Sequence, residues 1–138
     1  MDGVNRPNVK VLVIDDSETA RAAMADTLIE AGYRVLELPS AIGATRMILR
    51  NDVQVVIVDV TMPGLSGDML VRVLRSNSRL KELVIVVVSG MATESLERIR
   101  AEVGADAVLA KTAIETDLAL VVMRLLAMSP AERAEANR

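Results

Sequence analysis

Apolar residues along this chain follow two habits: short unbroken runs, and longer stretches in which they return every three or four positions. Residues 9–14 (VKVLVI), 34–38, 55–58 (VVIV), 83–88 (LVIVVV) and 107–110 are of the first kind. Runs so short and so β-branched predict strands buried on both faces, the habit of a parallel sheet covered by helices. The second kind lies between them. Ala20, Met24, Leu28 and Ala31 draw one helical stripe, with Ser17 or Asp16 as cap and Gly32 as stop. Ala44, Met47, Ile48 and Leu49 predict a second helix capped by Ser40, and Leu70, Val73 and Leu74 a third that fades at residues 76–78. Leu96, Ile99 and Val103 face inward on a fourth that Gly104 closes, and residues 114–128 form a fifth. Strands alternating with helices in this way require right-handed crossovers, hence an α/β, doubly wound five-stranded parallel sheet with five helices.

The last of these helices is apolar on more than one side. Ile114, Leu118, Val121, Val122 and Leu125 make the inward stripe, yet Leu120, Met123 and Ala127 fall opposite it on a helical wheel. Such a helix leaves an apolar patch on a small domain. The patch predicts a homodimer or partner interface built from the fourth helix, fifth strand and fifth helix, centred on Leu120 and Met123 and rimmed by Glu97, Arg98, Arg100 and Glu102. The plainer account is a greasy helix that the monomer tolerates. Beyond it, Ser129, Pro130 and Glu132 spell another helix start. Residues 1–8 therefore read as an N-terminal tail, 9–128 as the domain, and 129–138 as a C-terminal tail or the start of a linker helix.

A chain of 138 residues, 51% hydrophobic, fits one domain with an ample core. Lysine and arginine number 16 against 19 acidic residues, a net charge of −3, and no basic block interrupts the mixture. That balance speaks against direct nucleic-acid binding. Without cysteine there is no disulfide or thiolate metal site, and without histidine no imidazole catalysis or ligation. Only oxygen ligands remain, which suit magnesium, manganese or calcium rather than zinc or copper. No signal core and no apolar run of membrane length occurs, so the expected location is the cytoplasm, with no membrane contact.

Chemistry concentrates where the strands stop. Asp15 and Asp16 follow the first, Asp59 ends the third, Ser89 the fourth and Lys111 the fifth. In open α/β sheets, ligands sit at the carboxyl ends of the strands. Met62, Pro63 and Gly64 turn the chain over that edge and aim Asp59. Carboxylates gathered there repel one another and require a cation, which a divalent ion with oxygen ligands supplies. A hydroxyl and an ammonium beside a metal-bound carboxylate make a phosphoryl pocket, in which cations neutralise the transferring oxygens while the carboxylate attacks in line. Each residue also has a plain structural use. Asp15 and Asp16 can cap a helix, Asp59 can form a turn, Ser89 can end a strand, and Lys111 can be a solvated surface charge. The joint pattern, not any single residue, favours the chemical use.

The motifs DDS at 15–17, DVTMPGLSG at 59–67, SG at 89–90 and GADAVLAK at 104–111 carry a resemblance over residues 9–128. The chain resembles the receiver domains of two-component response regulators, of the chemotaxis-regulator kind. That resemblance implies a flavodoxin-like fold with strand order 2-1-3-4-5. It implies that Asp59 accepts a phosphoryl group and that Asp15, Asp16, Asp59 and the Thr61 backbone carbonyl hold magnesium, with manganese or calcium as substitutes. Ser89 and Lys111 would bind phosphoryl oxygens. The implied protein is a signalling switch in a phosphorelay, catalysing only its own phosphorylation and dephosphorylation. Its implied donor is a histidine kinase or histidine phosphotransfer protein, meeting the outward side of the first helix at Ala22, Ala25 and Ile29. Two other readings compete: a pseudo-receiver that only binds protein, and a metal-dependent phosphatase with an aspartyl nucleophile. The phosphatases resembling haloacid dehalogenases use a DxD arrangement after the first strand, which Asp15, Asp16 and Ser17 do not supply.

The chain leaves the family's pattern at two positions. Val108 stands where receivers usually carry an aromatic ring that swings inward, and the single tyrosine, Tyr33, lies before the second strand. Ser89 would then report phosphorylation through residues 90–93 without an aromatic relay. Thr112 stands where a proline usually follows the lysine, and a cis bond before a non-proline residue costs about 2.5–4 kcal/mol.

Overall fold

The computed structural model describes residues 9–60, 67–90, 97–98, 100–102 and 104–136. One parallel sheet carries β1 (Lys10–Ile14), β2 (Arg34–Leu38), β3 (Val55–Asp59), β4 (Val84–Ser89) and β5 (Ala107–Ala110), in the order β2-β1-β3-β4-β5. In register, Val11 stands between Val35 and Val55, and Val86 stands between Ile57 and Ala107. The order runs outward in both directions from β1 and β3, whose carboxyl ends form the switch point at which such sheets bind ligands.

Helices cover both faces. α1 (Glu18–Glu30) lies on one, and α2 (Ala44–Asn51) and α3 (Gly67–Ser76) lie on the other. Residues 97–98 and 100–102 are helical and belong to α4, and α5 (Ile114–Leu126) lies beside α1. Val11, Val13, Val55, Ile57, Val84 and Val86 pack with Met24, Leu28, Leu118 and Val122. Leu12, Ile14, Val56, Val58, Ile85 and Val87 turn the other way, toward Ile48, Leu70 and Leu74. Every residue of β3 and β4 is buried, while the edge strands β2 and β5 are partly exposed. Successive side chains thus enter opposite cores, which is why these strands read as unbroken apolar runs.

Several local expectations differ from what forms. α3 buries Gly67, Leu70, Val71 and Leu74, and leaves Val73 51% exposed. Its true stripe starts at a glycine, with the i, i+3, i+4, i+7 spacing running from there. On α1, Ala25 is buried beside Met24 and Leu28, because this helix leans on α5 as well as on the sheet. Ala25 is therefore not part of an outward docking face, although Ala22 and Ile29 are exposed. Ser40 does not cap α2. Gly43, at φ 81°, precedes that helix without a side-chain cap, while Ser40 Oγ accepts from the Ile42 amide at 3.3 Å one turn earlier. The stripe of α4 at Leu96, Ile99 and Val103, and the turn at Met62, Pro63 and Gly64, lie outside the described residues. On α5, Ile114, Leu118, Val122 and Leu125 are buried, Val121 is half-buried, and Leu120 and Met123 stay exposed.

A further helix, α6 (Pro130–Ala136), forms where Ser129 and Glu132 signal it. The Ser129 amide donates to Glu132 Oε1 at 2.8 Å and the Glu132 amide donates to Ser129 Oγ at 3.1 Å, a reciprocal cap. Arg133 is buried and anchors the helix to the amino-terminal floor of the sheet. Its guanidinium donates to the carbonyls of Glu82 (3.0 Å), Leu125 (3.3 Å) and Met128 (2.8 Å), and lies 3.5 Å from Asp106 Oδ1. Asp106 Oδ2 in turn accepts from Arg75 at 2.6 Å and from the Ile85 amide at 2.8 Å, tying α3, α6 and β4 to the entry of β5. Among the described residues no helix is long and apolar enough to cross a membrane.

Candidate functional site

The site is assembled at the carboxyl edge by residues that end strands. Asp15 follows Ile14 of β1 and is fully buried. Its amide donates to the Leu38 carbonyl at 3.2 Å, which carries the β1–β2 pairing one step past Ile14. Its Oδ1 accepts from the Ser17 amide at 2.9 Å, and Ser17 Oγ accepts from the Ala20 amide at 3.2 Å. Ser17, not Asp16, is thus the cap of α1, which leaves the Asp16 carboxylate exposed toward the edge. Asp59 is the final residue of β3 and is buried as well. Oxygens from Asp15, Asp16 and Asp59 all lie within 4.8 Å of one another.

Lys111 follows β5 and reaches back across the edge. Its Nζ lies 2.9 Å from Asp15 Oδ2 and 3.2 Å from Asp59 Oδ2. Asp15 Oδ2, itself inaccessible to solvent, has no hydrogen bond beyond this ion pair. Burial pushes the Asp15 carboxyl above its usual range, and the neighbouring Asp59 charge adds to this, against the opposing pull of Ser17 and Lys111. For Lys111, burial alone would lower the pKa, but its bonds to Asp15 and Asp59 outweigh that and hold the ammonium charged above its ordinary value. Ser89 ends β4, fully buried, one step beyond the Val88 that pairs with Asp59, and it pairs with Ala110 immediately before Lys111.

Asp15, Asp16, Asp59 and Lys111 are therefore brought together, with Ser89 on the adjoining strand end. Thr61 lies outside the described residues. Val108 is half-buried and packs against the α2–α3 core, and no peptide bond among the described residues is cis, the Lys111–Thr112 bond included. Among the described residues one ammonium, that of Lys111, lies against two of the three acids, and the donors are all hard oxygens, one of them buried and short of hydrogen bonds. That donor set fits a divalent cation of the magnesium or calcium class.

Two further residues bear directly on this edge. Gly67, the first residue of α3, packs so tightly on β3 that a Cβ there would collide with the Asp59 carbonyl oxygen. Arg21, in the first turn of α1, donates through one terminal nitrogen to the Asp15 carbonyl at 2.8 Å and through Nε to Glu37 at 3.1 Å. Gly67 stands inside a motif that marks it, whereas nothing in the sequence marks Arg21.

Comparison with known proteins agrees with this geometry. Residues 11–123 match the family model of the response regulator receiver domain. Chemotaxis protein CheY1 of Helicobacter pylori is 40% identical over 83 residues, 59% of this chain and 67% of that protein. The two-component response regulator ORR6 of Oryza sativa subsp. japonica is 31% identical over 118 residues, 83% of this chain and 69% of that one. Among solved structures, chemotaxis protein CheY4 of Vibrio cholerae superposes with a TM-score of 0.77 at 28% identity, covering 85% of this chain and 98% of that chain. A sensor protein from Polaromonas sp. JS666 gives a TM-score of 0.80 at 27% identity, covering 88% and 98%. With the sheet order, the strand-end acids and the family match in agreement, the chain belongs to the response regulator receiver family of two-component signalling.

Proposed function

We propose that this receiver is a phosphorylation-controlled switch in which Asp59 takes the phosphoryl group of a phosphohistidine carried by a histidine kinase or histidine phosphotransfer protein. The observation that carries the reading is the buried pair Asp15 and Asp59 joined by Lys111, an arrangement with no evident structural purpose at the end of such apolar strands. Asp15, Asp16, Asp59 and the Thr61 carbonyl would hold magnesium, or manganese or calcium in its place. Such a cation neutralises the acids and the oxygens of the transferring group. An oxygen of ionised Asp59 attacks phosphorus, the phosphorus–nitrogen bond to the donor imidazole breaks, and the imidazole leaves with the bonding electrons. Lys111 balances one phosphoryl oxygen and the Ser89 hydroxyl donates to another. Phosphoryl transfer is general in this family, which supports the assignment without fixing the donor.

The rest of the molecule supplies the interaction surfaces. Ala22 and Ile29 on α1 are the exposed residues beside which a helical donor would dock. Leu120 and Met123, on α5, are the centre of a homodimer or partner face. Because Val108 has no ring to move, the signal would pass from Ser89 into residues 90–93 rather than through β5. The working unit takes in α6 together with residues 9–128, since Arg133 is bonded into the floor of the sheet. Cytoplasmic location and the lack of direct nucleic-acid binding complete the proposal, consistent with a net charge of −3 without a basic block.

Intact mass after incubation with magnesium and acetyl phosphate tests it. The wild type is expected to gain one phosphoryl group and Asp59→Asn none. A wild type that gains nothing while remaining folded would favour the competing reading, a module that only binds protein.

A further inference from the structure

Arg21 holds two partners at once, the main-chain carbonyl of Asp15 and the carboxylate of Glu37 on β2. That carbonyl belongs to the peptide joining Asp15 to Asp16. A peptide is planar, so fixing its oxygen fixes the direction in which Asp16 leaves the strand. The Asp15 side of the plane is already held, by its amide on Leu38 and by its carboxylate on the Ser17 amide and Lys111. The Asp16 carboxylate is exposed, so its position relies on the main chain that presents it. We propose that Arg21 is a positioning residue that sets the Asp15–Asp16 peptide and thereby the separation of the two acids, and that Glu37 holds the guanidinium in place for this task.

The geometry distinguishes positioning from charge balance. The Arg21 contacts are with a carbonyl and with Glu37, while the Asp15 carboxylate has Lys111 as its counter-ion. A guanidinium offers two donors in a fixed plane, one for each partner, which a lysine ammonium on a flexible stem does not reproduce. Stability is a poor explanation for the bridge: the Glu37 side chain is 45% exposed, and such ion pairs add little to folding. Glu37 comes alongside only through strand pairing, being in register with Val13 of β1.

The proposal rests on the cation reading of the acid trio, and its test keeps the two apart. Magnesium chloride is titrated into the full chain and followed by calorimetry and by the amide resonances of Asp15, Asp16 and Ser17. Arg21→Ala and Arg21→Lys are both expected to weaken magnesium binding about 10-fold, the lower end of the effect for groups that orient a metal ligand. Both are expected to shift the Asp16 amide in metal-free buffer. Arg21→Ala, which loses its bond to the part-buried Asp15 carbonyl, also lowers the thermal midpoint there. Arg133→Ala, which destabilises the fold away from the site, therefore serves as the control and should keep wild-type magnesium affinity. Glu37→Gln should lose less, and should add nothing to Arg21→Ala. Wild-type affinity in Arg21→Ala overturns the positioning role, as does full recovery in Arg21→Lys, which would mean that charge alone suffices. An equal affinity loss in Arg133→Ala, which would make the loss a consequence of lowered stability alone, overturns it too. A wild type that binds no magnesium overturns the cation reading itself, and is recognised before any variant is compared.

Discussion

Lys111 Nζ stands 2.9 Å from Asp15 Oδ2, nearer than its 3.2 Å approach to Asp59, so the ammonium after β5 serves first as the counter-ion of Asp15. The pair spans the sheet from its first strand to its last in chain order. On the proposed reading, a metal held by the acids would compete with Lys111 for Asp15 and would leave the ammonium for a phosphoryl oxygen.

Removing the ammonium leaves a buried carboxylate with its desolvation uncompensated. Lys111→Met is expected to cost about 3 kcal/mol in metal-free buffer at neutral pH, the low end for a broken buried pair because the Lys111 side chain is 27% exposed. Burial holds the Asp15 carboxyl above its ordinary 3.8, so the folded state favours the protonated acid. The stabilisation from this group is therefore complete below that ordinary value and is lost as pH rises through the raised one. The deficit of Lys111→Met should be small at about pH 3 and full at about pH 7, because protonation removes the charge that lacks a partner. Urea melts in EDTA at the two pH values measure this. Equal deficits would mean that Asp15 is not the group responsible.

Gly67 predicts a different kind of defect. A Cβ at this position meets the Asp59 carbonyl, and also comes within 2.8 Å of Val58 Cγ1. Backbone cannot swing aside as a side-chain tip can, so Gly67→Ala must push α3 away from β3 or displace Asp59. The stability loss should be about 1–3 kcal/mol, as for other overpacked cores. Labelling by acetyl phosphate should slow by about 10-fold or more, since a nucleophile moved by even an ångström loses much of its alignment. An unchanged urea midpoint together with an unchanged labelling rate would show that the collision is relieved at no cost.

At the opposite end of the sheet, Arg133 should prove essential to the docking of α6. Its three carbonyl partners are bonded to a charged donor, and such bonds contribute about 1.5–3 kcal/mol each without adding fully. Arg133→Ala is expected to lower stability by about 3 kcal/mol, with little effect on phosphorylation. The cap of the same helix carries a pH signature. Glu132 has its carboxyl lowered by the Ser129 amide and hydroxyl, so its contribution is present above the ordinary carboxylate pKa and is lost as pH falls through the lowered one. Amide protection in residues 130–136, taken relative to the intrinsic exchange rate at each pH, should therefore fall in acid in the wild type, and much less so in Glu132→Gln. Identical acid responses would remove Glu132 from the cap.

Much of this architecture is legible in the residues, for a physical reason. Central strands of a parallel sheet are buried on both faces, so β3 and β4 appear as apolar runs that no helix of the same composition would keep so short. The strand-end acids are legible because Asp59 interrupts such a run without a structural need. Helix faces are harder. The stripe of α3 is misjudged at Val73 because Gly67, its first member, has no side chain to register as apolar. Ala25 looks outward until α1 is seen against α5. Arg21 is not legible at all. A polar residue near the start of a helix resembles any solvated one, and its role exists only after β2 pairs with β1 and brings Glu37 beside it.

The exposed side of α5 yields a prediction about association. Leu120 is 41% exposed and Met123 43%, and the two sit a helical turn apart, so they form one patch rather than two. Full burial of such side chains gains about 1.5–3 kcal/mol, of which something near two-fifths remains to be won, or roughly 1 kcal/mol each. A two-fold interface presents the pair twice, for about 4 kcal/mol at most, which only matches the lower estimates of the entropy lost on association. The Glu97 and Arg98 side chains of α4 are exposed and carry opposite charges, which would help to fix register without adding much affinity. A dimer held by this pair alone should therefore be very weak, with a dissociation constant of about 1 mM or more. Sedimentation of the wild type across that range, beside Leu120→Glu combined with Met123→Glu, each with and without a phosphoryl mimic, measures it. The expected result is concentration-dependent association in the wild type alone. A wild type that stays monomeric throughout, and is no less soluble than the double variant, would mean that α5 is simply a greasy helix the monomer tolerates.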